Sequence, residues 1–218
     1  MRTVVLADAH GRPELITNAL TDARSWDRLV FAGDFLDIGP HQDRCLALLR
    51  EHGAEMLYGN HECAILYRRA IWPQHESSWE YVALFERMLL LGEWHVAAEC
   101  EGVLVTHAGL SAGHAFVHPS WGAREWADDL NTRFAADTSR DWFWAADSPI
   151  WFRPKNEYPA LDIVQVAGHT PPHMLPTYEG FHVIDPYARG MDKSRFRYAV
   201  IEDGVVSVHD SREARAAA

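Results

Sequence analysis

Eight polar residues stand where apolar runs of the chain end, and their types suit one kind of chemistry. Asp8 and His10 follow residues 3–7, Asp34 and Asp37 follow 29–32, and Asn60 and His61 follow 55–58. His107 follows 103–106, and His169 follows 164–167. Carboxylate, amide and imidazole donors without a thiolate among them suit Mn, Fe or Zn. Two divalent ions about 3.5–4 Å apart are the usual device for hydrolysing a phosphoester. Such a pair needs a carboxylate that reaches both ions, and a neutral oxygen donor that keeps the site from becoming too anionic. Asp34 and Asn60 supply these two types. There is a plainer reading, because an Asp after a strand commonly serves a turn or a cap. The two acids of GDFLDIGP, residues 33–40, therefore either solvate a loop or face something positive.

The elements that must position these residues follow from the pattern of the chain. Residues 3–7, 29–32, 55–58, 103–106 and 164–167 read as short buried strands, each closing on a Gly-containing loop with His, Asp or Asn. Residues 13–22 read as a helix with Pro13 in its first turn. Further helices are expected over 41–52, 63–70 and 79–92, and alternating strands over 182–208. Early βα alternation with a β-rich end predicts an α/β fold, with ligands gathered at the carboxyl ends of strands. A single domain is expected over 1–218, with a cap inserted at 111–160, where Trp121, Trp126, Trp142 and Trp144 cluster. The tryptophans are expected to pack under that cap, a stacking platform being the alternative.

Composition narrows the classes of function. With 218 residues, 48% hydrophobic and 23% charged, the chain has the balance of an ordinary globular protein. No run of about 18 apolar residues occurs, so no membrane span is expected. Four apolar residues before Asp8 are too few for a signal-peptide core, and a cytoplasmic location is the expectation. Cys45, Cys63 and Cys100 are odd in number and widely spaced, against a disulfide framework or a thiolate metal site. A net charge of −11 runs against stable nucleic-acid binding, which needs many Lys and Arg.

The loops themselves carry motifs: DxHG at 8–11, GDxxDxG at 33–39, GNHE at 59–62, HAG at 107–109 and GHT at 168–170. In this order they resemble the calcineurin-like metallophosphoesterases of the phosphoprotein phosphatase family, near its small bacterial and phage members. The resemblance spans roughly residues 3–185. It implies two mixed sheets flanked by helices, a four-layer sandwich. It further implies two divalent ions, Mn expected, with Fe or Zn as alternatives. Asp8, His10 and Asp34 would hold the first ion; Asp34, Asn60, His107 and His169 the second. A water between the ions, its pKa lowered toward about 7, would attack phosphorus in line. His61 would protonate the leaving alcohol and Asp37 would orient His61. Asn60 and Arg153, the latter in WFRP, would hold the substrate phosphate.

Four departures from the pattern bear on substrate. Ala7 stands where the family usually has Gly, which predicts little harm. Ile38 stands where Arg is frequent, and is expected to be structural. Tyr58 replaces an Arg before GNHE; it is expected to offer phosphate one hydrogen bond at most, without the bidentate pair that Arg makes. Asp185, Pro186 and Tyr187 replace the usual Asp-Thr-Gly, which alters the expected rim. The leading expectation is a phosphomonoesterase of Ser/Thr protein phosphatase type, acting on phosphorylated protein or a small phosphoester. The alternative is hydrolysis of dinucleoside polyphosphates such as diadenosine tetraphosphate. Asp37, Glu62 and Thr170 argue against that alternative, because that branch often lacks the dyad Asp and reads GNHD and GHW.

Overall fold

A computed structural model describes residues 1–137, 141–155, 157–186 and 195–211. Its two sheets alternate their side chains, and that alternation builds the layers. In the first sheet, β3 (Glu55–Met56), β2 (Arg28–Phe31), β1 (Thr3–Leu6), β8 (Arg197–Glu202) and β9 (Val205–Asp210) lie in that order. The first three are parallel, and β8 and β9 are antiparallel. The second sheet runs β4 (Ala97–Cys100), β5 (Val103–Thr106), β6 (Gln165–Ala167), β7 (Phe181–Val183), with β4 antiparallel to β5 and the rest parallel. Both sheets are therefore mixed, as expected.

Successive residues on a strand face opposite ways. Val5, Val30, Ala199 and Ile201 of the first sheet meet Ala98, Val103, Val105 and Val166 of the second in one core between the sheets. Their neighbours Val4, Leu6, Leu29 and Phe31 join the other core, where α1 (Pro13–Ala23) and α2 (Gln42–Glu51) bury Ile16, Ala19, Leu20, Cys45, Leu46 and Leu49. Pro13 opens α1, where its missing N–H has no intrahelical partner to lose.

The remaining helices shift some expected boundaries. α3 spans Asn60–Leu66 rather than 63–70, so Asn60 and His61 stand in its first turn and not on a loop. The expected helix over 79–92 divides into a 3-10 turn, Glu76–Tyr81, and α4, Val82–Leu91, closed by left-handed Gly92. β4 was not marked by the sequence pattern, because Ala97–Cys100 carries few β-branched residues.

The described residues of 111–160, the stretch expected as a cap, bring a helix to the second sheet. After the short α5 (Ala112–Ala115), α6 (Ala123–Ala136) packs against β4 and β5. It sinks Trp126, Leu130 and Phe134 into the larger core and thereby supplies the outer layer of the second sheet. Arg133 lies over the Trp142 ring and Arg69 over Trp144, while Trp121 stacks on His118. These tryptophans pack within the protein. Among the described residues no helix is long and apolar enough to cross a membrane. Tyr187 and residues 212–218 lie outside the described residues.

Candidate metal centre and phosphoester site

Backbone bonds tie the loops at the carboxyl ends within each sheet, and the His169 amide crosses from one sheet to the other by donating to Asp8 Oδ2 (2.9 Å). The Asp8 amide donates to Gly33 O (3.0 Å), the His10 amide to Asp34 O (2.9 Å), and the Gly168 amide to His107 O (2.8 Å). Asp8, His10, Asp34, Asp37 and His169 all adopt left-handed backbone, with φ between 46° and 66°. Such conformations cost non-glycine residues energy and gather at functional sites. Two glycines of the motifs leave room for the carboxylates themselves. A Cβ on Gly59 would lie 2.2 Å from Asp34 Oδ1, and one on Gly168 would lie 2.0 Å from Asp8 Oδ2.

Glu62, read from the sequence as an acceptor rather than a reactant, fastens this corner. It accepts from the amides of Gly59 (2.9 Å), Asp34 (2.7 Å), Phe35 (3.0 Å) and Leu36 (3.3 Å). Burial pushes its carboxyl up to about 7, and the nearby Asp34 charge adds to that.

The expected ligand residues converge. His10 Nε2 lies 3.8 Å from Asp8 Oδ1 and 3.6 Å from Asp34 Oδ2. His107 Nε2 lies 3.4 Å from Asp34 Oδ2, 2.9 Å from Asn60 Oδ1 and 3.2 Å from His169 Nδ1. His169 Nδ1 is 3.0 Å from Asn60 Oδ1. Two sets of side chains bring donor atoms within 4.8 Å of one another, His10 with Asp34 and His61, and Asp34 with His107 and His169. Asp34 belongs to both sets.

The donor chemistry fits metal ions. His10 Nδ1–H donates to Leu36 O (2.7 Å) and His107 Nδ1–H to Ala32 O (2.8 Å). Each ring thus turns its Nε2 inward, the arrangement found in metal-ligating histidines. The atoms that gather around Asp34 Oδ2 are then mostly acceptors, and buried acceptors that face one another require a proton or a cation between them. His169 Nε2 is buried without a hydrogen-bond partner.

Electrostatics point the same way. Burial lowers His10 to about 4 and takes His169 well below its ordinary value. Burial also lifts Asp8 well above the usual carboxylate range, with Asp185 and Asp34 reinforcing it. For Asp34 burial acts upward, but His107, His61 and His10 outweigh it and hold the group well below that range. Neutral imidazoles beside a concentration of acids are what a divalent cation binds.

The dyad residues sit beside these. His61 Nδ1 lies 2.5 Å from Asp37 Oδ2, and the His61 amide donates to Asp34 Oδ1 (3.0 Å). Burial opposes the His61 proton, but the Asp34 and Asp37 charges raise its affinity above the ordinary value. Asp37 is in turn held by the Ser78 hydroxyl (2.5 Å) and the His75 amide (2.9 Å) on its Oδ1.

A cavity of ≈ 340 Å³ opens over the site and reaches His10, Asp34, Asn60, His61 and His169. Arg153 lines it, donating to Thr170 Oγ1 (3.1 Å) and His169 O (3.3 Å). Lys155, two residues further on, lines it too and was not singled out in the sequence. Asp185 is buried in the same cavity beside Asp8, so it belongs to the floor rather than the rim.

Two sequence expectations are overturned. Tyr58 does not face substrate. It is fully buried, gives its hydroxyl to Phe85 O (2.8 Å) and packs against Phe85, Trp94 and Phe134. Ile38, expected to be structural, lines the cavity. The chain lacks an Arg at both positions, but only position 38 opens on the substrate space.

The family model for calcineurin-like phosphoesterase matches residues 1–205. Serine/threonine-protein phosphatase 1 of Salmonella typhimurium is 32% identical over 113 residues, 44% of this chain and 52% of that protein. The match therefore spans about half the length of that relative. Among solved structures, the cold-active protein-tyrosine phosphatase of a psychrophilic Shewanella species superposes with TM-score 0.64 at 16% identity, over 95% of this chain and 80% of that one. A candidate diadenosine tetraphosphatase gives TM-score 0.53 at 18% identity, over 96% and 93%. At such identities the superpositions speak for the fold alone.

Proposed function

Because the chain belongs to the calcineurin-like phosphoesterase family, we propose that it is a metal-dependent phosphomonoesterase acting on phosphorylated serine or threonine of a protein. The observation that carries this reading is the His61–Asp37 pair, 2.5 Å apart and buried beside the shared carboxylate Asp34. A proton donor fixed at this point serves a poor leaving group such as an alkoxide, which cannot depart unprotonated.

Asp8, His10 and Asp34 would hold one divalent ion, and Asp34, Asn60, His107 and His169 the other, with Mn the expected metal. When bound, such ions lower the pKa of a water from 15.7 toward about 7 and neutralise phosphate charge. The protein's own groups do the rest. Arg153, with Asn60 and Lys155, grips the phosphate oxygens. Asp37 accepts from His61 Nδ1, which leaves the proton on Nε2 directed at the leaving oxygen. Ser78 and His75 keep Asp37 from rotating away.

Dinucleoside polyphosphate hydrolysis is the weaker reading. Such a substrate carries several negative charges along its chain, and among the described residues only Arg153 and Lys155 bring formal cations to the cavity. The test is phosphate release with added Mn²⁺, comparing a phosphoserine peptide with diadenosine tetraphosphate at equal concentration. Faster turnover of the peptide is expected; faster turnover of the dinucleotide would sink the phosphomonoester reading.

A further inference from the structure

The segment between α3 and α4 reaches the site at two points. At one, the His75 amide and the Ser78 hydroxyl hold Asp37. At the other, Ile71 and Trp72 line the cavity, and Trp72 is 84% exposed. Ile38, next in sequence to Asp37, lines it as well, as does Met174, 51% exposed. Asp37 is bonded to His61, and a general acid must face the oxygen of the leaving group. Ile71 and Trp72 therefore share with His61 the cavity that a leaving group must occupy. The cations Arg153 and Lys155 come from a different segment, whose Trp151 also lines the cavity, so the cationic contacts for phosphate and the apolar pair Ile71 and Trp72 stand on separate segments. An apolar surface left in water at the mouth of a polar cavity marks a place where substrate binds.

We propose that Ile71 and Trp72 form a specificity surface that receives a large apolar side chain next to the phosphorylated residue of a peptide. This deepens the phosphomonoesterase reading and rests on it. The occupant is fixed by continuity with the phosphate site: whatever is esterified to phosphate at His61 continues onto this wall. It is apolar because the exposed indole and the isoleucine offer at most one N–H to a polar neighbour, which would lose its water without replacement. An acidic neighbour is disfavoured further by the chain's net charge of −11.

The experiment uses the full chain loaded with Mn²⁺ and two phosphoserine peptides that differ only in Leu or Ser flanking the phosphoserine. The Leu peptide is expected to have a kcat/KM about five- to tenfold higher, chiefly through KM, the scale of one partly buried apolar contact. Trp72→Ala should bring that ratio to about one, and Trp72→Phe should keep most of it. The ratio is internal to each preparation, so losses of folded or metal-loaded protein cancel. Equal constants for the two peptides in the wild type, or a ratio that survives Trp72→Ala, overturn the proposal and leave the phosphomonoester reading intact. Diadenosine tetraphosphate turned over faster than both peptides overturns it in favour of a base-stacking role for Trp72. If neither peptide nor p-nitrophenyl phosphate releases phosphate, the reading beneath the proposal falls with it.

Discussion

At the floor of the cavity Asp8, Asp34, Asn60, His107 and His169 are buried, and backbone amides or carbonyls hold Asp8, Asp34 and His107. At its mouth Trp72 and Met174 are largely exposed, and Ile71 is only partly covered. The floor is built under strain: its Asp8, Asp34 and His169 sit at positive φ, and Gly59 and Gly168 leave the carboxylates their space. None of that over-determination recurs at Trp72. The difference separates two jobs. Charges that must bind cations and move protons need fixed positions in a dry place, since reorganisation costs rate. A surface that selects among substrates needs only the right chemistry within reach, and it can change without disturbing the floor.

The comparison breaks most severely at Asp34, because both donor sets share it. Asp34→Asn replaces the common carboxylate by a weaker neutral donor and also alters the acceptor of the His61 amide. Activity should fall by about three orders of magnitude or more, together with metal content read by elemental analysis. Retained occupancy of two ions would refute Asp34 as the shared ligand. Next comes His61→Asn, which removes the acid but leaves the ligand residues in place. Turnover of an alkyl phosphate should drop about a hundredfold or more, with metal content kept, and turnover of p-nitrophenyl phosphate should drop much less. A uniform loss across leaving groups would mean that His61 positions substrate instead.

Ser78→Ala probes the seam between floor and mouth. It deletes one hydrogen bond to the Asp37 carboxylate, worth about 1.5–3 kcal/mol for a charged acceptor. Only part of that reaches His61, because the His75 amide still holds the same oxygen. The expected loss is about tenfold on an alkyl phosphate and smaller on an aryl one. A loss independent of the leaving group would indicate a merely structural hydroxyl.

The convergence of the floor side chains was legible in the sequence because each expected ligand residue follows an apolar strand inside a short Gly-containing motif, and local chemistry there dictates position. The two mixed sheets were legible from the same strands. The mouth was not. Trp72 lies in a stretch with neither period nor motif, and Lys155 is one basic residue among twenty. The packing of α6 on β4 and β5 was not legible either, because Trp126, Leu130 and Phe134 at helical spacing look alike over a sheet or over a site. Positions 38 and 58 show the same limit. Each stands beside a motif residue where the family often carries Arg, and only the direction of the side chain separates the cavity wall at Ile38 from the core residue Tyr58.

Tyr58→Phe is the gentlest perturbation and sharpens that last point. The hydroxyl donates to Phe85 O at 2.8 Å in a cluster with Trp94 and Phe134, away from the cavity. Burial takes the phenol far above its ordinary value, so it stays a neutral donor at any working pH. Removing it leaves Phe85 O without this partner and should lower stability by about 1–2 kcal/mol, read from chemical denaturation. The ring itself fills the core, so no cavity opens and metal content should hold. Catalysis should change less than about twofold, because nothing at the floor touches the hydroxyl. A clear rise in KM for phosphoserine peptide, with stability unmoved, would instead place Tyr58 at the substrate and reverse the contrast with Ile38.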